Sequence, residues 1–284
     1  MAIGTNKSDD IASYVHTIFE AATLAARDRN FMTGLVSTWF DERGTATRSR
    51  SEYGTVGYNQ ITDTDDLVSQ TFTPSVQNSL SPYLYAAQFL ISDRRLRADP
   101  FQLQGDASRE LGEGAGKQVN LHLTGLFSSL TGGTVGTAGG TVTTGNLFAA
   151  IAKLKQQNAP PPYFGVLQEG HWYHIGTVLI PAGGVSMTNA PELQEVVSSR
   201  YYAGYAMGVY WFTTNDITSG TAAVGAVFSR EALGFDERKA FGIEYQRDAS
   251  KGGGSWELNA TMDYAYGVWR PNFGCQVVAT SVVP

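Results

Sequence analysis

The chain is short of the residues that chemistry most often uses. It has one cysteine, Cys275, so it can form no intrachain disulfide and no cysteine metal cluster. A lone thiol fits a reducing compartment. Only 16% of the residues are charged, and acidic ones outnumber basic ones 26 to 20, for a net charge of −6. A dedicated reader of DNA or RNA sequence carries a basic surplus, so that class is disfavoured. Loose coating of nucleic acid from one neutral or acidic face stays open. No run of about 18 apolar residues exists, so no segment is suited to span a membrane. Asp9 and Asp10 stand where a secretory leader needs its apolar core. There is also no lysine between Lys7 and Lys117.

The motifs that would announce an enzyme are missing too. GEGAGKQ at 112–118 imitates a phosphate loop, but the G-x-x-x-x-G-K-[ST] pattern needs glycine at Leu111 and a hydroxyl at Gln118. His171 and His174 share a helical turn, with no zincin glutamate and no cysteine nearby, so they read as structural or surface imidazoles. His16 and His122 fall on helical stripes and read as packed. No G-x-S-x-G elbow occurs. Cys275, in FGCQVVA, reads as a buried, inert thiol on a strand. The residues assemble no nucleophile, base and orienting group, so no catalytic, metal or cofactor site is expected.

What the chain does have is pattern. At 42% hydrophobic residues and 284 in length it is ordinary globular material, with 32 glycines for turns and close approaches. WELNATMDYAYGV (256–268) places Trp256, Leu258, Ala260, Met262, Tyr264, Tyr266 and Val268 on one parity. That is the period-two signature of a half-buried strand, here about 43 Å long if unbroken. KAFGIEYQRD (239–248) alternates likewise, and the turn-rich ASKGGGS between them makes an antiparallel hairpin. Residues 9–27 space Ile11, Tyr14, Val15, Ile18, Phe19, Ala22 and Ala26 as an amphipathic helix, with Ser8 as N-cap. Residues 106–130 read as one long helix capped by Asp106, with Leu111, Ala115, Val119, His122, Leu126 and Leu130 in its stripe. Gly112, Gly114 and Gly116 weaken it by about 1 kcal/mol each, and close packing on a neighbouring backbone is the expected reason to keep them. Residues 131–145 are low-complexity Gly/Thr, expected to be a loop or hinge. A short helix around Leu147, Ile151 and Leu154 then ends at Pro160–Pro162, and YFGVL is a strand. Residues 191–204 suggest a helix, 205–212 a strand, and Phe89–Ile91 a buried strand.

Residues 40–75 differ, being polar on both strand faces. Arg48, Arg50 and Glu52 share one parity, while Thr47, Ser49 and Ser51 take the other. Such a ribbon has no face to bury in its own core. The plain reading is a long surface loop. The reading adopted is intermolecular, because loops of this length in compact domains serve a purpose or are disordered. Its basic arm (Arg43, Arg48, Arg50) and acidic tip (Asp63, Asp65, Asp66) would then meet counterparts on a second copy. With them, Ile11, Tyr14 and Ile18 of the N-terminal helix are the candidate intersubunit residues.

In order and texture the chain resembles the major capsid proteins of tailed bacteriophages, the Hong Kong 97-type fold that encapsulin shells share. FTPSVQNSLSPYLYAAQFLISDRRL resembles the segment leaving the family's extended loop. DASRELGEGAGKQVNLHLTGLFSSL is similar to its spine helix, and GNLFAAIAKLKQQNAPPPYFGVLQEGHWYHI to the start of its axial domain. AVFSREALGFDERKAFGIEYQRDASKGGGSWELNATMDYAYGVWRPNFGCQVVA is similar to the closing hairpin and the Gly-aromatic-Arg-Pro return, carried by Gly267, Arg270 and Pro271. The resemblance implies an α+β fold with an N-terminal arm (1–35), an extended loop (36–92), a peripheral domain (93–137 and 240–268) and an axial domain (138–239 and 269–284). It implies a non-enzymatic shell subunit, built into hexamers and pentamers around double-stranded DNA in a virion and assembled in the host cytoplasm. Its implied partners are itself, a scaffolding protein, the portal, possible cement or decoration proteins, and packaged DNA touched without sequence preference. No long scaffold-like segment precedes the first helix, so the scaffold is expected to be separate. Some members weld their shells through a loop lysine, and with no lysine on the ribbon no such cross-link is expected. The rival readings are an encapsulin-like cargo shell and, in another class, a soluble α+β enzyme or binding domain.

Overall fold

The computed structural model describes residues 30–40, 46–53, 57–58, 60–61, 69, 74–98, 100–179, 202–248, 250 and 254–284. In chain order its strands and helices begin with β1 (Ser37–Phe40), β2 (Arg48–Tyr53), β3 (Pro74–Leu80) and β4 (Pro82–Ser92). Helices α1 (Asp93–Ala98) and α2 (Pro100–Gly125) follow, then β5 (Thr134–Gly136), α3 (Thr144–Gln156), β6 (Tyr163–Gln168) and α4 (Glu169–Leu179). The rest is strand: β7 (Tyr202–Ala206), β8 (Val209–Thr214), β9 (Ala223–Ser229), β10 (Leu233–Asp248), β11 (Ser255–Val268) and β12 (Gly274–Ala279).

The long alternating run is a single strand. β11 is 14 residues without a break and pairs antiparallel with β10, from Leu233↔Val268 to Asp248↔Ser255, with register shifts around Lys239. β4 flanks it on the other side and β1 pairs parallel with β10, giving a four-stranded sheet in the order β1-β10-β11-β4. The far end of the hairpin is held by Arg247, whose guanidinium donates to both oxygens of Asp93, at 3.1 and 2.6 Å, and stacks over Trp256. Gly254 turns there at φ +83°, and a Cβ would lie 2.6 Å from Arg247 and 2.8 Å from Asp93, so a side chain has no room.

Helix α2 lays its apolar stripe on this sheet. Val119 and Leu123, with Phe127 just beyond the helix, enter one cluster with Phe235 and Tyr264 of this sheet and Phe228 of β9. The helix starts earlier and stops sooner than its hydrophobic stripe suggested. Pro100 opens it, since proline's missing N–H is one that the first turn leaves unbonded anyway. Asp106 is therefore an exposed interior position and not the cap. After Gly125 the chain tightens into a 3-10 turn, Leu126–Ser129. Gly114 is not kept for close packing either: nothing lies within 4 Å of a Cβ built there, and it lines a cavity of about 370 Å³ between α2 and the sheet.

The second sheet is six-stranded, in the order β5-β12-β9-β6-β8-β7, and mixes parallel and antiparallel pairs. Helix α3 packs Leu147, Ala150, Ile151 and Leu154 into its core with Val227, Cys275 and Val277. Thr143 caps that helix, its Oγ1 accepting from the Asn146 amide at 3.2 Å. The Gly/Thr stretch expected to be a loop supplies β5, which pairs parallel with β12, so a backbone ladder orders residues that have little side chain to bury. The single strand expected at 205–212 is two. Met207 and Gly208, at φ 59° and 80°, form the tight turn between β7 and β8. Residues 202–204 belong to β7 rather than to the helix expected at 191–204, whose other residues lie outside those described. Phe89–Ile91 is strand as expected, but only Ile91 is buried. β4 is an edge strand of its sheet, so Phe89 and Leu90 stay exposed in the single chain.

Candidate intersubunit surface

β2 and β3 pair only with each other among the described residues, from Arg48↔Leu80 to Tyr53↔Pro74. An isolated two-stranded ribbon is marginal in water. Its base, however, is locked to the body. Asp236 on β10 is fully buried, and its Oδ2 accepts from Arg48 Nε at 2.9 Å and from Arg238 Nη2 at 2.8 Å. Arg238 is itself almost fully buried. The Arg48 guanidinium lies 5.1 Å over the Trp39 ring, Trp39 stands 5.0 Å from Trp269, and Arg50 lies 6.0 Å over Trp269. On the other strand Asn78 Nδ2 donates to the Trp269 carbonyl at 2.9 Å, and Leu80 is buried against Gly234 and Gly267. A Cβ on Gly267 would come within 2.8 Å of Leu80.

Of the candidate intersubunit residues, Arg48 and Arg50 thus meet partners in their own subunit. Glu52 lies further along β2, in register with Val76. Asp63, Asp65, Asp66, Ile11, Tyr14 and Ile18, and the amphipathic helix at 9–27, lie outside the described residues. Sequence reading passed over Asp236, Arg238, Trp39 and Trp269. The one local signal was a charged cluster, DERK, inside a strand whose flanks are apolar.

The Gly-aromatic-Arg-Pro return joins the two sheets. The amides of Trp269 and Arg270 donate to the Ala232 carbonyl, and the Pro271 carbonyl accepts from Thr131 and Gly132. Arg270 pairs with Glu231 at 2.9 Å and stacks over Phe273. Beyond these joints, large apolar side chains face solvent: Phe40, Tyr83, Leu84 and Leu90 on the first sheet, Phe148 on α3, Tyr173 on α4, and Tyr205 and Tyr210 on the β7–β8 hairpin. Edge strand β4 alone exposes Tyr83, Leu84, Phe89 and Leu90. Among the described residues β4 ends its sheet, so its outer edge pairs with no other strand.

The residues that tempted a chemical reading are structural in place. The 112–118 stretch is interior to α2. His171 Nε2 donates to the Ala279 carbonyl at 3.2 Å, and His174 Nε2 to the Val282 carbonyl at 3.0 Å, so α4 grips the C-terminal segment. Burial holds the His171 imidazole below its ordinary pKa. His122 sits between Gln118 and Tyr264. The Gln118 amide donates to Nε2 at 2.8 Å, which leaves Nδ1–H to donate to the Tyr264 hydroxyl at 2.8 Å. Its pKa too is lowered by burial. Burial pushes the Cys275 thiol up to about 11, far from a reactive thiolate. Among the described residues no group of three or more His, Cys, Asp or Glu could hold a metal ion, and no helix is long and apolar enough to cross a membrane.

A long hairpin with a helix laid along it is thus joined to a second sheet and carries a two-stranded ribbon at its base. Residues 80–277 match the phage capsid protein family, and the chain belongs to it. Solved structures agree in fold. The capsid of Ralstonia phage GP4 superposes with a TM-score of 0.65 at 10% identity, covering 88% of each chain. The capsid of cyanophage P-SCSP1u gives 0.64 at 12% identity, again over 88% of each. The virus-like particle from Pyrococcus furiosus gives 0.59 at 10% identity, over 92% of this chain and 98% of that one. Comparison with curated proteins finds no match. The protein is a structural major capsid protein with the α+β Hong Kong 97-type fold, a component of virions whose copies assemble into multimeric shells.

Proposed function

We propose that this chain assembles as hexamers and pentamers into an icosahedral shell around a phage's double-stranded DNA, and that its work is geometric rather than catalytic. The observation that carries this is the β2–β3 ribbon. It is polar, two-stranded and joined to the body at its base, and it gains a partner surface when it lies on the next subunit. The exposed apolar edge of β4 offers surface for such contacts. In this reading residues 1–35 are the arm, 36–92 the extended loop, 93–137 with 240–268 the peripheral domain, and 138–239 with 269–284 the axial domain. Ile11, Tyr14 and Ile18 on the arm and Glu52, Asp63, Asp65 and Asp66 on the loop face neighbouring copies. A scaffolding protein, a portal and cement proteins are the further partners, and the host cytoplasm is the place of assembly. Without a lysine on the ribbon the shell is held by non-covalent contacts.

A second reading has one observation in its favour: the likeness to the Pyrococcus furiosus virus-like particle extends over nearly that whole chain. A cargo shell would share the assembly and differ in contents. Electron microscopy of the expressed chain, alone and with the lysate of its source, tests both. Uniform polyhedral shells holding nuclease-protected DNA are expected, and shells filled with protein would favour the cargo reading. Small compact particles under every condition would refute a shell. A cross-linked ladder on a denaturing gel would refute non-covalent closure.

A further inference from the structure

We propose that Arg48 is a positioning residue for assembly: held by Asp236 and Trp39, it sets the direction in which the β2–β3 ribbon leaves the subunit. The inference rests on the shell reading above. Asp236 is held independently of the ribbon: it stands on β10 between β1 and β11, in register with Trp39 and Ala265, and Arg238, two residues along the same strand, donates to the same oxygen from a buried position. Arg48 is the ribbon's contribution to that cluster. Its Nε–H is aimed at a fully desolvated carboxylate, where a charge-assisted bond is short and directional. The centre of its guanidinium also lies 5.1 Å over the Trp39 ring, within cation–π reach. One side chain therefore meets two constraints, a directional bond to Asp236 and a ring contact with Trp39, and together they restrict how the base of the ribbon can turn.

The lever that follows is long compared with the joint. From Arg48 to Tyr53 the strand spans about 17–20 Å. A tilt of about 10° at its base moves the far end by roughly 3 Å, enough to lose the register of a hydrogen-bonded or side-chain contact on a neighbour. Head-to-tail contacts close into rings and shells only when the rotation per subunit is right, and otherwise run on as open assemblies. Trp269, Asn78 and Leu80 attach the ribbon too, so loss of Arg48 alone leaves it joined but free to swing.

Arg48→Ala and Arg48→Lys test this, because Arg48 is partly exposed and its removal leaves the Asp236–Arg238 pair in place. Hydrogen exchange on the unassembled subunit reads the joint directly. Arg48→Ala should speed exchange in 46–53 and 74–80 by about tenfold, the change one lost charge-assisted bond makes in a local opening equilibrium, while amides of α2 and β11 stay as they were. Its Tm should move by less than about 10 °C, and electron microscopy should find uniform closed shells replaced by open sheets, tubes or mixed sizes. Arg48→Lys keeps the charge without the planar guanidinium and should restore part of both effects. Unchanged ribbon exchange, or Arg48→Ala shells equal in size and yield to the parent's, would overturn the proposal. If the parent itself forms no shell in any condition, the shell reading falls and the assembly role with it, whatever the exchange of the variants.

Discussion

Tyr264 is where the long strand and the long helix hold each other, and replacing it separates packing from hydrogen bonding. The ring is almost fully buried, stacked on Tyr85 at 4.6 Å, and 5.3 Å from Phe235, 5.9 Å from His122 and 6.0 Å from Tyr266. Its hydroxyl accepts the one bond that His122 makes across the helix–sheet interface. Tyr264→Ala should cost about 3–5 kcal/mol, as for other large aromatic truncations, and nearer the upper end because several ring pairs are lost together. Tyr264→Phe keeps every ring contact and leaves Nδ1–H of a half-buried imidazole without its acceptor, for about 0.5–1.5 kcal/mol. Urea unfolding of the unassembled subunit measures both, and a cycle with His122→Ala should give a coupling of about 1 kcal/mol. If Tyr264→Phe costs as much as Tyr264→Ala, the hydrogen bond rather than packing fastens α2 to the sheet. If the coupling is zero, the bond contributes nothing, and either result refutes the reasoning.

Gly165→Ala on β6 places a Cβ 2.3 Å from the Trp211 ring, a residue nearly fully buried on the paired strand β8, so overpacking should cost about 1–3 kcal/mol or more. Urea unfolding should recover part of that loss when Trp211→Leu is added, and no recovery would mean the ring is not the obstacle. Both His122 and His171 titrate below their ordinary pKa of 6.5 in the folded chain because burial disfavours the cation. The unfolded chain then binds protons first as pH falls, so stability is full above about pH 6.5 and declines below it until the folded pKa is passed. Thermal unfolding of the unassembled subunit between pH 7.5 and 5 should show this decline, and His171→Gln should flatten part of it. A Tm that holds or rises over that window would contradict the assignment.

Much of the architecture could be read locally. The alternation from Trp256 to Val268 needed no tertiary knowledge to be a strand, since side chains one pleat apart must face opposite ways, and the Gly-rich turn before it made the hairpin. The α3 helix, with Leu147, Ile151 and Leu154 on one face, was equally plain, and the structure adds Thr143 as its cap. The limits of α2 were not, because its first turn carries no apolar stripe and a proline there is as consistent with a stop as with a start. β5 escaped notice for a related reason: Gly136 and its neighbours have nothing to bury, and the strand exists because β12 offers it a ladder.

The candidate contact surface divided in the same way. The polar ribbon was visible from composition, since neither parity of residues 47–52 can enter a core. What Arg48 and Arg50 touch was not, because their partners, Asp236 and Trp269, stand nearly 190 and 220 positions away in sequence. A charge is worth burying only when another is brought to it at hydrogen-bonding distance, and that depends on the whole chain's path. Periodicity therefore determined the strongly patterned segments, the long hairpin and the α3 helix among them. Only the tertiary structure decided which faces meet, which charges are buried together, and which apolar residues on β4 stay exposed in the single chain, because burial belongs to pairs of surfaces and not to residues.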